Sequence, residues 1–167
     1  PAEKVVGLLV NPTNPLAESV TRGVQAAAAS LRLELKVMHA HNDNDVDAVF
    51  SNLHGMRVAG LVIGTDPFFT SRSEKLGAMS LRFAIPAIYQ YRAFTEAGGV
   101  MSYGGSITDS YKQAGHYVGR ILKGEKPGEL AVQLSTKVEL FLNLKTARTL
   151  GLNVPLSVLG RADEVIE

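Results

Sequence analysis

Before residue 92, three apolar runs each end on a polar turn and pass into a helical pattern, and that rhythm leaves few folds open. Val5 to Val10 is followed by Asn11-Pro12-Thr13-Asn14-Pro15, and Gly60 to Gly64 by Thr65-Asp66-Pro67-Phe68-Phe69. Ile85 to Tyr89 runs into Gln90-Tyr91-Arg92. Continuous apolar runs, as opposed to alternating ones, are what strands of a parallel sheet look like when both faces are covered. Asn14 reads as an N-cap, with Pro15 at the first helical position, where its missing N–H costs nothing. The helix that follows extends to about Leu31, with Leu16, Val20, Val24 and Ala27 or Ala28 along one face. Leu33 to Met38 alternates as a strand near the sheet edge does. Asp45 reads as the cap of a helix over residues 46–54, and Ser71-Arg72-Ser73-Glu74 as a capping box opening a helix to about Phe83. Phe94 to Gly99 reads as a short helix closed by glycine.

Strand, turn and helix repeated in this order define an α/β fold with a doubly wound (Rossmann-like) parallel sheet and right-handed crossovers. Ligands of such sheets sit beyond the carboxyl ends of the strands, at the point where strand order reverses. The turns at Asn11, Thr65 and Tyr89 all fall there. The second part is less regular. Val100 to Tyr103 reads as a strand, Gly104-Gly105-Ser106 as a flexible crossing, and a strongly amphipathic helix begins at Thr108 or Asp109 and stops at Lys123-Gly124. Residues 132–142 read as extended, Lys145 to Leu150 as helical with Gly151 as the stop, and Pro155 to Ile166 as a short terminal element.

Several classes of function are excluded or disfavoured by what the chain contains. Its 167 residues suffice for one domain with a real core. The net charge is +1, and no stretch concentrates Lys and Arg, so no nucleic-acid partner is expected. Without cysteine there is neither a disulfide nor a thiolate metal site. No apolar run approaches the roughly 18 residues of a membrane span. No Gly-x-Ser-x-Gly elbow, Walker loop or Gly-x-Gly-x-x-Gly follows the first strand, so no catalytic residue and no cofactor is assigned. His39 and His41, near Asn42 and Asp43, lack a third convincing metal ligand and read as a solvated loop. His54 and His116 read as structural residues on helix surfaces. Pro1-Ala2-Glu3-Lys4 has neither an initiator Met nor an apolar signal core, which reads as a piece cut from a longer chain.

Two readings stand side by side for the first turn. It is either a rigid connector or an anion pocket, in which helix-start N–H groups and the macrodipole are joined by the side-chain amides of Asn11 and Asn14. Asp66 is either a helix cap or an acceptor for a ligand ammonium or hydroxyl, with Phe68 or Phe69 as an apolar wall. An anion-binding turn beside a cation-accepting acid suits an amino-acid-like zwitterion. Tyr89, Tyr91 and Tyr103 stand at strand ends, placed either to stack on a ligand or to pack in the core.

The ordered series VGLLVNPTNPLAESV, LVIGTDPFF, IPAIYQYRAFTEAGGVMSYG, YKQAGHYVGRILKGEKPGEL and NLKTARTLGLNVP resembles the ABC-transporter substrate-binding protein family over nearly the whole chain. The resemblance implies one lobe of a two-lobed periplasmic-binding-protein type 1 fold, its second or C-terminal half, with a small-molecule ligand held between lobes. It further implies that residues 1–103 form most of lobe two. Residues 104–131 would carry the hinge crossing and a helix packing on the absent N-terminal lobe, and 132–167 would return to lobe two. The cleft on this lobe would be lined by Asn11 with its neighbours Thr13 and Asn14, by Thr65, Asp66, Phe68 and Tyr89, and by Tyr103-Gly104. An ABC transporter membrane permease is the implied partner. The implied location is the periplasm, or the outer surface of a Gram-positive cell as a secreted or lipid-anchored protein. With lobe one absent, the helix over 109–123 is expected either to dimerise or to fold against its own sheet. A ligand-sensing domain of a transcription regulator or receptor shares this fold and remains the alternative, as does an α/β metabolic enzyme.

Overall fold

The computed structural model describes residues 5–56, 58–133 and 137–167, and the side chain of His54 lies outside the described part. Strand β1 (Val5–Val10) leads through α1 (Ala17–Ser30) to β2 (Glu34–His39), and α2 (Asp43–Met56) returns to β3 (Gly60–Ile63). Two helices, α3 (Pro67–Thr70) and α4 (Ser73–Arg82), precede β4 (Ala87–Tyr89), and α5 (Arg92–Glu96) connects it to β5 (Met101–Gly105). Then come the long α6 (Ile107–Leu122), a single 3₁₀ turn, β6 (Val138–Asn143), α7 (Leu144–Thr149), α8 (Leu156–Leu159) and β7 (Glu164–Ile166).

These strands form one sheet of seven in the order β2-β1-β3-β4-β5-β6-β7. Every pairing is parallel except β5 with β6, where Met101 faces Leu142 and Gly105 faces Val138. Strand order reverses between β1 and β3, which makes that gap the switch point. One face of the sheet carries the core. Leu9, Leu61, Ile63, Ala87 and Tyr89 meet Phe50 and Leu53 of α2, Leu76 of α4 and Phe94 of α5, all buried. Side chains alternate along a strand, so Val62, Ile88 and Met101 must point to the other face. There α1 packs over β1 and β2 while α7 lies against β7.

Local details depart from the sequence reading in instructive ways. The first helix opens at Ala17, not at Pro15, because Asn14 closes a preceding turn: its backbone oxygen takes Ala17 N–H and its Oδ1 takes Leu16 N–H. Asn42, rather than Asp45, caps α2 by accepting Asp45 N–H, while Asp45 accepts from His41 N–H and pairs with its ring. The capping box at Ser71 does not form. Ser71 ends α3, and its hydroxyl donates back to Phe68 O, so it cannot reach Glu74. Gly104 and Gly105 are paired strand residues, not a loose crossing, since β6 returns alongside them. A Cβ on Gly104 would stand 2.6 Å from Gln90 O, so only glycine allows strands β4 and β5 to approach there. Of the extended run expected over 132–142, the strand begins at Val138, and residues 134–136 lie outside those described.

The expectation that α6 folds against its own sheet is not met. None of its residues is buried, and Tyr111, Val118 and Leu122 are exposed. Tyr117 is tied to the returning chain, its hydroxyl donating to Ala131 O and accepting from Gln133 N–H.

Candidate functional site

The carboxyl ends of β1, β3 and β4 converge on Asp66. This residue follows β3 and caps α3, its Oδ1 accepting Phe68 N–H at 2.7 Å, with Pro67 at the first helical position. Two side-chain amides reach it from the turn after β1: Asn11 Nδ2 at 3.2 Å from Oδ1 and Asn14 Nδ2 at 2.6 Å from Oδ2. Asn14 Nδ2 also lies 3.4 Å from Thr65 O. The carbonyl oxygens of the same amides are used locally. Asn11 Oδ1 accepts from Thr13 N–H and the Thr13 hydroxyl, which fixes the turn as an Asx turn. Asp66 is thereby 4% exposed with its oxygens engaged from three directions. A buried carboxylate is tolerated when its lone pairs are met by donors in this way.

Beneath it, Tyr89 is 2% exposed, and its hydroxyl sits 2.9 Å from Thr70 Oγ1 and donates to Asp66 O at 3.3 Å. Burial pushes its phenol above the usual 10. Its ring meets Tyr91 and Phe94 edge-on, so it is a packed core residue and offers no open stacking face. Thr65, exposed, donates its hydroxyl to Gln90 Oε1 at 2.9 Å, linking the ends of β3 and β4. Phe68 is half-buried, edge-on to Phe69, with the Arg72 guanidinium 3.9 Å above its ring. Arg72 is held in turn by a two-pronged bond to Asp43 at 3.0 and 2.9 Å. Lys75 joins both Asp43 and Asp47. The hydrogen bond from Arg72 and then that from Lys75 pull the Asp43 carboxyl down from 3.8 to about 2.

Of the residues picked out in the sequence, Asn11, Thr13, Asn14, Thr65, Asp66, Phe68 and Tyr89 gather in this one cluster. Gly104 adjoins it through Gln90 and lines a neighbouring recess of about 320 Å³, along with Ser106, Asp109 and Lys112. Tyr103 does not join. Its side chain lies on the sheet's other face beside Met101 and Leu140, because Ser102 takes the inward position on β5. Sequence reading passed over Gln90, although it follows a buried strand just as Asn11 and Thr65 do. It also passed over the Arg72–Asp43 pair, for which a separation of 29 residues leaves no local signal.

The mostly parallel seven-stranded sheet flanked by helices is the fold of a lobe of the substrate-binding proteins described next. The chain belongs to the family described as ABC transporter substrate binding protein, whose model matches residues 1–166. That is a family of binding proteins, not of enzymes. No curated protein matches the chain. Among solved structures, a conserved domain protein from Vibrio cholerae O1 biovar El Tor is 25% identical with a TM-score of 0.83, over 97% of this chain and 54% of its own. An ABC domain from Streptococcus pneumoniae in complex with L-Trp is 22% identical, again with a TM-score of 0.83, over 98% and 56%. A ligand-free, open substrate-binding protein with adhesive properties from Clostridium difficile is 19% identical, with a TM-score of 0.65, over 98% and 54%. The chain thus spans about half the length of the solved structures it matches.

Proposed function

We propose that this chain is the ligand-gripping second lobe of the solute-binding component of an ABC-type importer, and that its ligand is an amino acid or a similarly polar small metabolite. The observation that carries the reading is the convergence of the carboxyl ends of β1, β3 and β4 on Asp66 at the switch point. Asp66 and the amides of Asn11 and Asn14 are spent on one another, so they hold the shape of the lip. The outward groups, the Thr13 and Thr65 hydroxyls, Gln90 and the Phe68 ring, then meet the ligand. Binding works by closure, with ligand bridging this lobe to another and selecting the closed state through its extra contacts. Residues 1–103 and 132–167 form the lobe in this reading, and α6 packs on its neighbour, either the N-terminal lobe or a second copy. An extracytoplasmic location and a membrane permease partner follow from the same role.

The L-Trp held by the pneumococcal neighbour makes tryptophan the first probe. A thermal-shift screen of the full-length protein against tryptophan, the other amino acids and small organic acids tests the proposal. A ligand at a hundredfold over its dissociation constant adds about 2.7 kcal/mol of stability. A shift abolished by Thr65→Val supports the assignment. No shift with any amino acid or small acid overturns the ligand class.

A further inference from the structure

At the ends of β3 and β4, a hydroxyl and an amide lie side by side with their hydrogen-bonding capacity half used. Thr65 Oγ1 donates its proton to Gln90 Oε1 at 2.9 Å. A hydroxyl has one donor and two acceptor positions, so Thr65 is left with lone pairs alone. Gln90 has its oxygen occupied by the same bond and is left with its N–H groups. The Tyr89 phenol shows which way that amide points. Burial raises the phenol, and hydrogen bonds with Thr70 and then with Gln90 oppose the rise. A partner that favours an ionised phenol is a donor, so the Gln90 nitrogen faces Tyr89 while its oxygen faces Thr65. One N–H of Gln90 then has no partner among the described residues. Thr65 is exposed and Gln90 half-buried, so both stay open to a ligand.

Full charges close to this pair are committed elsewhere. Asp66 is enclosed by three donors, Arg72 is held by Asp43, and Arg92 is held by Glu96 and Glu164. What Thr65 and Gln90 offer is neutral: an acceptor and a donor one hydrogen bond apart.

We propose that this pair orients the ligand. The Thr65 oxygen accepts from the ammonium of an amino acid, and the free N–H of Gln90 donates to its carboxylate. The inference rests on the reading of the ligand as an amino acid, and adds the direction in which it lies across the ends of β3 and β4. Both ends of such a zwitterion hang on one carbon, which suits a donor and an acceptor this close together. The opposite order sets ammonium against an N–H and carboxylate against lone pairs, and is repulsive at both contacts. The orientation also reverses the one that the turns suggest by sequence, with an anion at Asn11 and Asn14 and a cation at Asp66. Asn14 gives its N–H groups to Asp66 and to Thr65 O, and Asp66 is filled by donors of its own lobe. Gln90 is thereby the residue that selects for a free carboxylate.

Calorimetric titration of the full-length protein with tryptophan and with tryptophanamide is the test. Where the amino-acid screen selects another ligand, that amino acid and its amide take their places. Gln90→Glu keeps the length of the side chain and an oxygen for Thr65, and puts a negative charge where the N–H stood. It is expected to weaken tryptophan about 100-fold and to leave tryptophanamide, which has no carboxylate, within about threefold. The sign of the change decides the orientation. Tighter binding of tryptophan by Gln90→Glu means that the ammonium lies there, and overturns the proposal. Unchanged binding means that Gln90 does not touch the ligand, and overturns it too. Thr65→Val removes the acceptor at constant size. It is expected to cost tryptophan about tenfold and to cost indole-3-propionate, which lacks the ammonium, nothing. Melting curves without ligand check the fold of each variant. If the charge unfolds the chain, Gln90→Met replaces Gln90→Glu, with an expected loss of about tenfold for tryptophan and none for tryptamine, which lacks the carboxylate. Equal losses for both compounds overturn the proposal. If the unsubstituted protein binds no amino acid, the ligand class fails and takes the orientation with it. That result is read before any variant is made, so the two failures stay distinct.

Discussion

Asn14 donates its side-chain amide to Asp66 at 2.6 Å, although 52 positions separate them in the chain. That bond and its companion from Asn11 fasten the turn after β1 to the turn after β3, across the point where strand order reverses. Two turns that are far apart in the chain are thereby tied to each other through side chains. The donors are amides and the acceptor a carboxylate, so the bonds are of the stronger, charge-assisted kind.

Removing the acceptor should loosen both turns at once. Asp66→Ala takes away the cap of α3 and strands two amides, at an expected cost of about 3 kcal/mol. Asp66→Asn keeps the shape but can turn only one oxygen to three donors, and should fall between. Urea denaturation of the three proteins gives the ranking. Equal midpoints would mean that the turns hold without this residue.

Gly104→Ala should be costly for a different reason. The added Cβ meets Gln90 O at 2.6 Å and Gln90 Cβ at 2.9 Å, and backbone cannot step aside as a flexible side chain does. Overpacking of this kind costs about 1–3 kcal/mol. The displacement of Gln90 should also break its bond to Thr65, so a lowered melting temperature should come with weakened ligand binding.

The Asp43–Arg72–Lys75 network predicts a pH dependence with a definite sign. Folding lowers the Asp43 pKa from 3.8 to about 2, so the folded state favours the ionised form. Its contribution is fully present above the unfolded value and fades as pH drops from about 4 to about 2. Wild type and Asp43→Asn should therefore differ in denaturation midpoint at neutral pH and converge near pH 2. A gap that persists unchanged into acid would contradict the assignment.

Tyr89→Phe tests whether the ring is structural. Loss of the hydroxyl removes the bonds to Thr70 Oγ1 and Asp66 O, which keep their bond to each other at 2.9 Å, and should cost about 1 kcal/mol. Ligand affinity should hold, because the ring is enclosed. A large loss of affinity at unchanged stability would put Tyr89 in direct contact with ligand.

What the sequence by itself determined was the layer order and the edge at which the strand-end turns meet. Long apolar runs ending in Asn, Asp and Pro are read locally, because covering both faces of a strand needs unbroken apolarity and ending it needs turn chemistry. Asn11, Asn14, Thr65 and Asp66 were found in that way. The partner of each polar group was decided only in three dimensions. Asn14 was legible as a cap and Asp66 as a cap or a ligand acceptor, but pairing them requires two strands to lie side by side. Tyr103 shows the same limit from the opposite side. It stands one residue from Gly104, yet a period of two sends its side chain to the far face of the sheet. The amphipathic stripe of α6 was written in the sequence as well. Whether its own sheet would cover it depended on where β6 returned, and the antiparallel pairing of β5 with β6 leaves the helix outside.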